Sequence, residues 1–155
     1  MSIICKENTM DFYGFYTGKI FDAYKYLGAH VEEKGVTFRT FAPSASRITL
    51  IGEFNDWQEW EMNKVSDGNF WECYVPQAKA GQMYKYKIYD RNGNPVDHCD
   101  PYGFGMELRP GSASIIRDMS KYKFKDSQWL QSRSDCRKKP LNIYEIHFGS
   151  FRKPS

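Results

Sequence analysis

The sequence predicts an all-β fold, an antiparallel β-sandwich, and three observations carry that expectation. Between Gly35 and Ile116, short apolar runs recur with turn residues between them and no strong helical stretch. Tyr and Phe dominate an aromatic content of 17%, which suits a pleated, half-buried surface. A length of 155 residues gives room for one well-buried core and a short second element.

The elements follow in order. Residues 1–30 do not alternate like strands and read as an N-terminal arm. Asp11 to Gly18 is Gly-punctuated, and Ile20 to Leu27 predicts about two helical turns ended by a left-handed Gly28. So short a helix is marginal alone, so Phe21, Tyr24 and Leu27 are expected to pack elsewhere. The sandwich is expected over residues 31–119. Its strands are Val36 to Phe41, closed by Ala42-Pro43, then Arg47 to Ile51, and Phe70 to Val75 after the Asp67-Gly68-Asn69 turn. Tyr84 to Tyr89 runs into Asn92-Gly93, a hairpin signal because both residues accept positive φ. Val96 to Gly111, rich in Pro, Gly and Asp, reads as a long loop before a last strand near Ser114 to Ile116.

Residues 120–139 read as a linker with seven Lys/Arg against Asp126 and Asp135, a net of +5 within a chain of formal charge +3. A short basic run with no stacking aromatics interleaved at the spacing of a known RNA-reading motif is more often a solvated linker, which argues against a nucleic-acid partner. No stretch has the length of a membrane span, and Met1 to Glu7 lacks a signal peptide's apolar core, so the expected location is the cytoplasm. Cys5, Cys73, Cys99 and Cys136 are too scattered for a zinc or redox motif, and His98-Cys99-Asp100 reads as a turn. No cofactor or metal is implied.

Residues 140–155 have a different character. Leu141 to Phe148 places apolar side chains on both parities, the pattern of a strand buried on both faces in a parallel sheet. Parallel neighbours need crossovers of a dozen or more residues. The segment is therefore expected to be the first strand of a further domain, and the chain a fragment of a longer protein.

The residues with chemical promise lie in Ile51-Gly52-Glu53-Phe54-Asn55-Asp56-Trp57. Sugar rings present apolar C–H faces and hydroxyl edges, so a glucan site needs an exposed aromatic platform flanked by hydrogen-bonding groups. Trp57 can supply the platform, with Asn55, Asp56 and Lys85 at its edges. The competing reading makes Trp57 a plug at one end of the core. Trp71, inside a strand, and Trp60, in a loop without a polar set, favour structural roles.

Gly52 to Trp57, the Ala42-Pro43-Ser44-Ala45 turn, Tyr84-Lys85-Tyr86 and Asp100-Pro101-Tyr102 together resemble the family-48 carbohydrate-binding module, the isoamylase N-terminal domain. Phe15, Gly18, Ala23-Tyr24 and Leu27-Gly28-Ala29-His30 are similar to the lead-in of bacterial glycogen branching enzymes. Tyr122, Asp126, Trp129, Arg133 and Ile143 to Phe151 resemble that family's linker and first barrel strand. The resemblance implies an immunoglobulin-like sandwich with a short helical arm and a stub of an (α/β)8 barrel. It implies a parent of glycoside hydrolase family 13 that cuts α-1,4-glucan and rejoins the piece through an α-1,6 bond. That is retaining chemistry by two carboxylates, which in the family lie on later barrel strands, so Glu145 takes no catalytic role and the chain alone is expected to be inactive. The implied partners are α-glucan and the catalytic barrel of the same polypeptide. Two positions depart from the pattern. Asn92 to Val96 stands where kinase glycogen-binding subunits carry a second Trp, and Phe124 stands where the family often has Trp. The alternative is a purely structural module that orients the barrel and binds no sugar.

Overall fold

The computed structural model describes residues 9–120, 122–136, 140 and 142–151. It divides into two compact units, Met1–Met119 and Ser120–Ser155.

Among the described residues the first unit holds one short helix, α1 (Phe12–Tyr16), and nine strands: β1 (Gly28–Val31), β2 (Val36–Phe41), β3 (Arg47–Gly52), β4 (Trp60–Glu61), β5 (Asn63–Val65), β6 (Phe70–Val75), β7 (Met83–Tyr89), β8 (Pro95–His98) and β9 (Ser114–Ile115). Two antiparallel sheets form, one in the order β1-β2-β6-β5 and one in the order β4-β3-β7-β8, with β9 also paired to β7. The predicted all-β architecture is what forms. Val36–Phe41 and Phe70–Val75 pair with each other along their whole length, and Arg47–Gly52 pairs with Tyr84–Tyr89.

The main core lies between the sheets. Phe38 of β2, Trp71 and Cys73 of β6, Ile48 and Leu50 of β3, and Tyr84 and Tyr86 of β7 meet there, in the period-2 alternation of each strand. A second cluster explains why β6 buries neighbouring residues of opposite parity. Phe70 points away from the main core, and the arm covers it: Phe12 and Phe15 pack their rings edge-on at 4.8 and 5.4 Å, with Tyr26, Leu27 and Phe41 alongside. Tyr16 closes the edge by donating to Asp67 at 2.5 Å and accepting from Asn69 at 2.9 Å. Each aromatic ring buried this way contributes about 1.5–3 kcal/mol.

Buried polar groups knit the 100–114 segment to β7. The Asp100 carboxylate accepts from the Tyr84 hydroxyl at 2.6 Å, the Tyr86 hydroxyl at 3.1 Å and the Tyr102 N–H at 2.8 Å. Its own N–H donates to Ser114 Oγ at 2.8 Å. Burial raises the Asp100 carboxyl above its ordinary range and pushes both tyrosine hydroxyls up. His98 ends β8 rather than opening a turn, and Asp100 beyond it serves this hydrogen-bond network; no metal-holding cluster exists among the described residues.

Four expectations need correction. The helix of the arm is Phe12–Tyr16, capped by the Asp11 carboxylate on the Gly14 N–H, whereas Ile20 to Leu27 keeps only a 3-10 turn at Ala23–Lys25. Of the three side chains expected to pack, Leu27 is fully buried, while Phe21 and Tyr24 are exposed. Ala23, Tyr26 and Leu27 join the second cluster from this single turn, with Phe21 left outside it, and so short a helix is marginal on its own. Gly28 takes φ +103 but does not cap a helix; it opens β1, and its missing Cβ leaves room for the Tyr102 carbonyl, which a Cβ would meet at 2.9 Å. Within the expected 96–111 loop, Val96 to His98 belong to β8, tied to β7 through a five-residue connection whose Asp90 carboxylate accepts from the N–H groups of Asn92 and Asn94.

The fourth correction concerns the second unit, which contains α2 (Ser127–Cys136) and α3 (Phe148–Phe151). Residues 142–147 form no strand, and Leu141 lies outside the described residues. A strand exists through ladder hydrogen bonds, and no described segment pairs with this one. Its apolar side chains Ile143 and Tyr144 stand exposed. No helix among the described residues is long and apolar enough to cross a membrane.

Candidate functional site

The Gly52–Trp57 loop begins where β3 ends. A Cβ on Gly52 would meet the Met83 carbonyl at 2.7 Å and the Phe54 ring at 2.7 Å, so the close approach demands glycine. Phe54, within a 3-10 turn at Glu53–Asn55, is the residue that fills the end of the core, against Phe38 at 5.4 Å. The Glu53 carboxylate accepts from the Met83 N–H at 2.8 Å, pinning the turn to β7.

Asn55 organises the rest. Its Oδ1 accepts from the Gly52 N–H at 2.9 Å, and its Nδ2 donates to the Leu50 carbonyl at 3.3 Å and the Gln58 carbonyl at 2.6 Å. Three of the amide's four hydrogen-bonding positions are thereby filled inside the loop. Asp56 and Trp57 follow at φ 52 and φ 58, both left-handed. Two such residues in succession cost about 1–3 kcal/mol each and persist only where surrounding bonds enforce them. The Asn55 amide and the Trp57 N–H, which donates to the Gly52 carbonyl at 2.9 Å, are those bonds.

The outcome is a Trp57 that is 40% exposed and belongs to neither core cluster. Phe54 fills the end of the sandwich in its stead. Asp56 is exposed beside it. Lys85 lies opposite Ile51 in the β3–β7 register, at the same end of the sheet, and its Nζ donates to Ser112 Oγ at 3.0 Å. Sequence reasoning missed Ser112, which follows the expected long loop where Leu108 stands 89% exposed. Trp71 is buried with its Nε1 donating to the Ala42 carbonyl at 3.2 Å, whereas Trp60 sits in edge strand β4 at 37% exposure.

Glu59 was also missed. Its carboxylate accepts from Tyr89 hydroxyl at 2.8 and 2.9 Å, Lys87 Nζ at 3.2 Å and Thr49 Oγ1 at 3.2 Å, and pairs with Arg47 at 3.3 Å. The Tyr89 hydrogen bond is foremost in holding this carboxyl below its ordinary range. Only the register Arg47–Tyr89 and Thr49–Lys87 brings those four partners together. A groove of about 290 Å³ at the far end of β7, lined by Ala42, Pro43, Ala45, Ile88 and Val96 among others, contains none of the four sequence candidates.

The first unit is a small β-sandwich that holds Trp57 out of its core on a loop bonded back to β3. The chain belongs to the carbohydrate-binding module 48 family (isoamylase N-terminal domain), whose model matches residues 26–103. It is 38% identical over 154 residues to the 1,4-alpha-glucan branching enzyme GlgB of Fusobacterium nucleatum, covering 97% of this chain and 25% of that protein. The GlgB of Dechloromonas aromatica is 40% identical over 146 residues, 91% of this chain and 24% of that one. The chain thus spans about a quarter of the length of the curated relatives it matches. Among solved structures, a pullulanase from Bacillus acidopullulyticus superposes with a TM-score of 0.53 at 23% identity over 66% of this chain and 13% of its own. A maltotriose complex of PulA from Klebsiella pneumoniae gives 0.53 at 23% identity over 61% and 11%. These two likenesses concern the fold.

Proposed function

We propose that this chain is the N-terminal glucan-binding and supporting module of a cytoplasmic glycogen branching enzyme. The parent cleaves α-1,4-glucan and transfers the piece to form α-1,6 branches. The sandwich is immunoglobulin-like, and residues 140–155 begin the catalytic barrel. Its partners are α-glucan and that barrel, not nucleic acid or membrane. The observation that carries the reading is Trp57, held out of the core by a strained loop whose own bonds offset the strain. The likeness to two branching enzymes along more than nine-tenths of the chain supports the same parent.

In this reading a glucose ring stacks on Trp57, while Asp56 and Lys85 meet its hydroxyl edges. Asn55 serves the site by shaping the loop. A single platform gives millimolar affinity, since stacking on one aromatic contributes about 1–3 kcal/mol by analogy with base stacking. Titrating maltoheptaose against tryptophan fluorescence tests it. Trp57→Ala is expected to abolish binding with the fold intact, and Lys85→Ala to weaken it less, because one exposed donor is worth about 0.5–1.5 kcal/mol. A chain that binds no maltoheptaose, or a Trp57→Ala variant that unfolds, would favour the purely structural module. The chain alone should leave the iodine staining of amylose unchanged; a reproducible fall after repurification would move the catalytic carboxylates into these residues.

A further inference from the structure

We infer that Glu59 is the positioning residue of the Trp57 site, fixing the distal limb of the loop so that the indole is presented to a glucan. The inference rests on the reading of Trp57 as the sugar platform. Its basis is the way the loop is tied. The proximal limb is held from within by the Asn55 amide, whose last bond reaches the Gln58 carbonyl at 2.6 Å. The next residue is Glu59, and its carboxylate docks on the outer face of the second sheet.

Strand alternation makes that dock. Tyr84 and Tyr86 point into the core, so Lys87 and Tyr89 of β7 face outward, as do Arg47 and Thr49 of β3. The register sets Thr49 against Lys87 and Arg47 against Tyr89, a four-cornered socket with the carboxylate at its centre. Arg47 also stacks on the Tyr89 ring at 4.6 Å and pairs with Glu61, so the socket is itself braced. Trp57, left-handed at φ 58, lies between the two ties. A backbone in that conformation relaxes when either limb is released. The Glu59 carboxylate is engaged by the four partners of the socket, so it acts on the sugar site through the loop.

Fluorine NMR of the chain labelled with 5-fluorotryptophan tests this, since its four tryptophans give four resonances, assigned with Trp57→Phe and Trp60→Phe. In Glu59→Gln the Trp57 resonance is expected to shift or broaden while that of buried Trp71 stays. The maltoheptaose Kd should rise about tenfold, the equivalent of one charge-assisted hydrogen bond. The double variant Lys87→Met/Tyr89→Phe removes donors from the same carboxylate without touching the loop, so it should reproduce both effects. It also decides the matter if Glu59→Gln does not fold. An unchanged Trp57 resonance and Kd in these variants, with the native chain responding to the sugar, would overturn the role of Glu59 alone. A native Trp57 resonance that ignores maltoheptaose would instead sink the sugar site, and this inference with it.

Discussion

Asp100 is the residue whose loss the structure makes most costly. Asp100→Ala leaves three donors without their acceptor: the Tyr84 and Tyr86 hydroxyls and the Tyr102 N–H. Tyr84 and Tyr86 are fully buried, so water cannot replace the carboxylate. Each stranded buried donor costs about 1–3 kcal/mol. Part of that is returned, because the native fold holds a desolvated carboxyl whose pKa is raised by burial. The net expectation is a loss of about 3–5 kcal/mol, the range for breaking a buried charged network by removing one partner. In urea unfolding, with a slope of about 1–3 kcal/mol per molar, the midpoint should fall by roughly 1–5 M. Asp100→Ala/Tyr86→Phe should recover part of the loss, since the second change removes a stranded hydroxyl. A loss below about 1 kcal/mol, or no recovery in the double variant, would refute the argument that this network is energetically closed.

Phe15→Ala should destabilise the first unit by about 2–4 kcal/mol, since the half-buried ring packs on Phe41 at 5.1 Å and Phe70 at 5.4 Å; thermal unfolding measures it. Asn55→Asp keeps an acceptor for the Gly52 N–H but loses both donations, so amide exchange across Asp56 to Glu59 should quicken; native protection there would contradict the clamp. Stability should fall in acid as Asp67 and Asp90 protonate. The Tyr16 hydroxyl and the Asn94 N–H, respectively, depress these carboxyls in the folded state, so their contribution is present above about pH 4 and lost below it. Asp100 has the opposite sign: its raised folded pKa gives a contribution that is fully present below about pH 4 and lost as pH rises above it, and Asp100→Asn should remove this component from a stability–pH curve.

Local pattern by itself determined much of this protein. Short apolar runs bounded by turn residues were enough to name Val36–Phe41, Phe70–Val75 and Tyr84–Tyr89 as strands. The Gly52 to Trp57 run was legible as a compact loop, but whether Trp57 faces solvent or plugs the core was open until the structure put Phe54 in the core and left Trp57 exposed. The arm was misread because Phe12 and Phe15 are helical only against Phe70, a contact made across some fifty-five residues of chain. Leu141 to Phe148 carries strand pattern without a strand, since a ladder requires a neighbour that pattern alone does not provide. The socket of Glu59 and the donors around Asp100 were likewise invisible. Thr49, Lys87 and Glu59 are distant in sequence and share one carboxylate only after two strands pair in one register. What a residue prefers is written locally; which polar groups must satisfy one another is decided when burial removes the water that would otherwise do it.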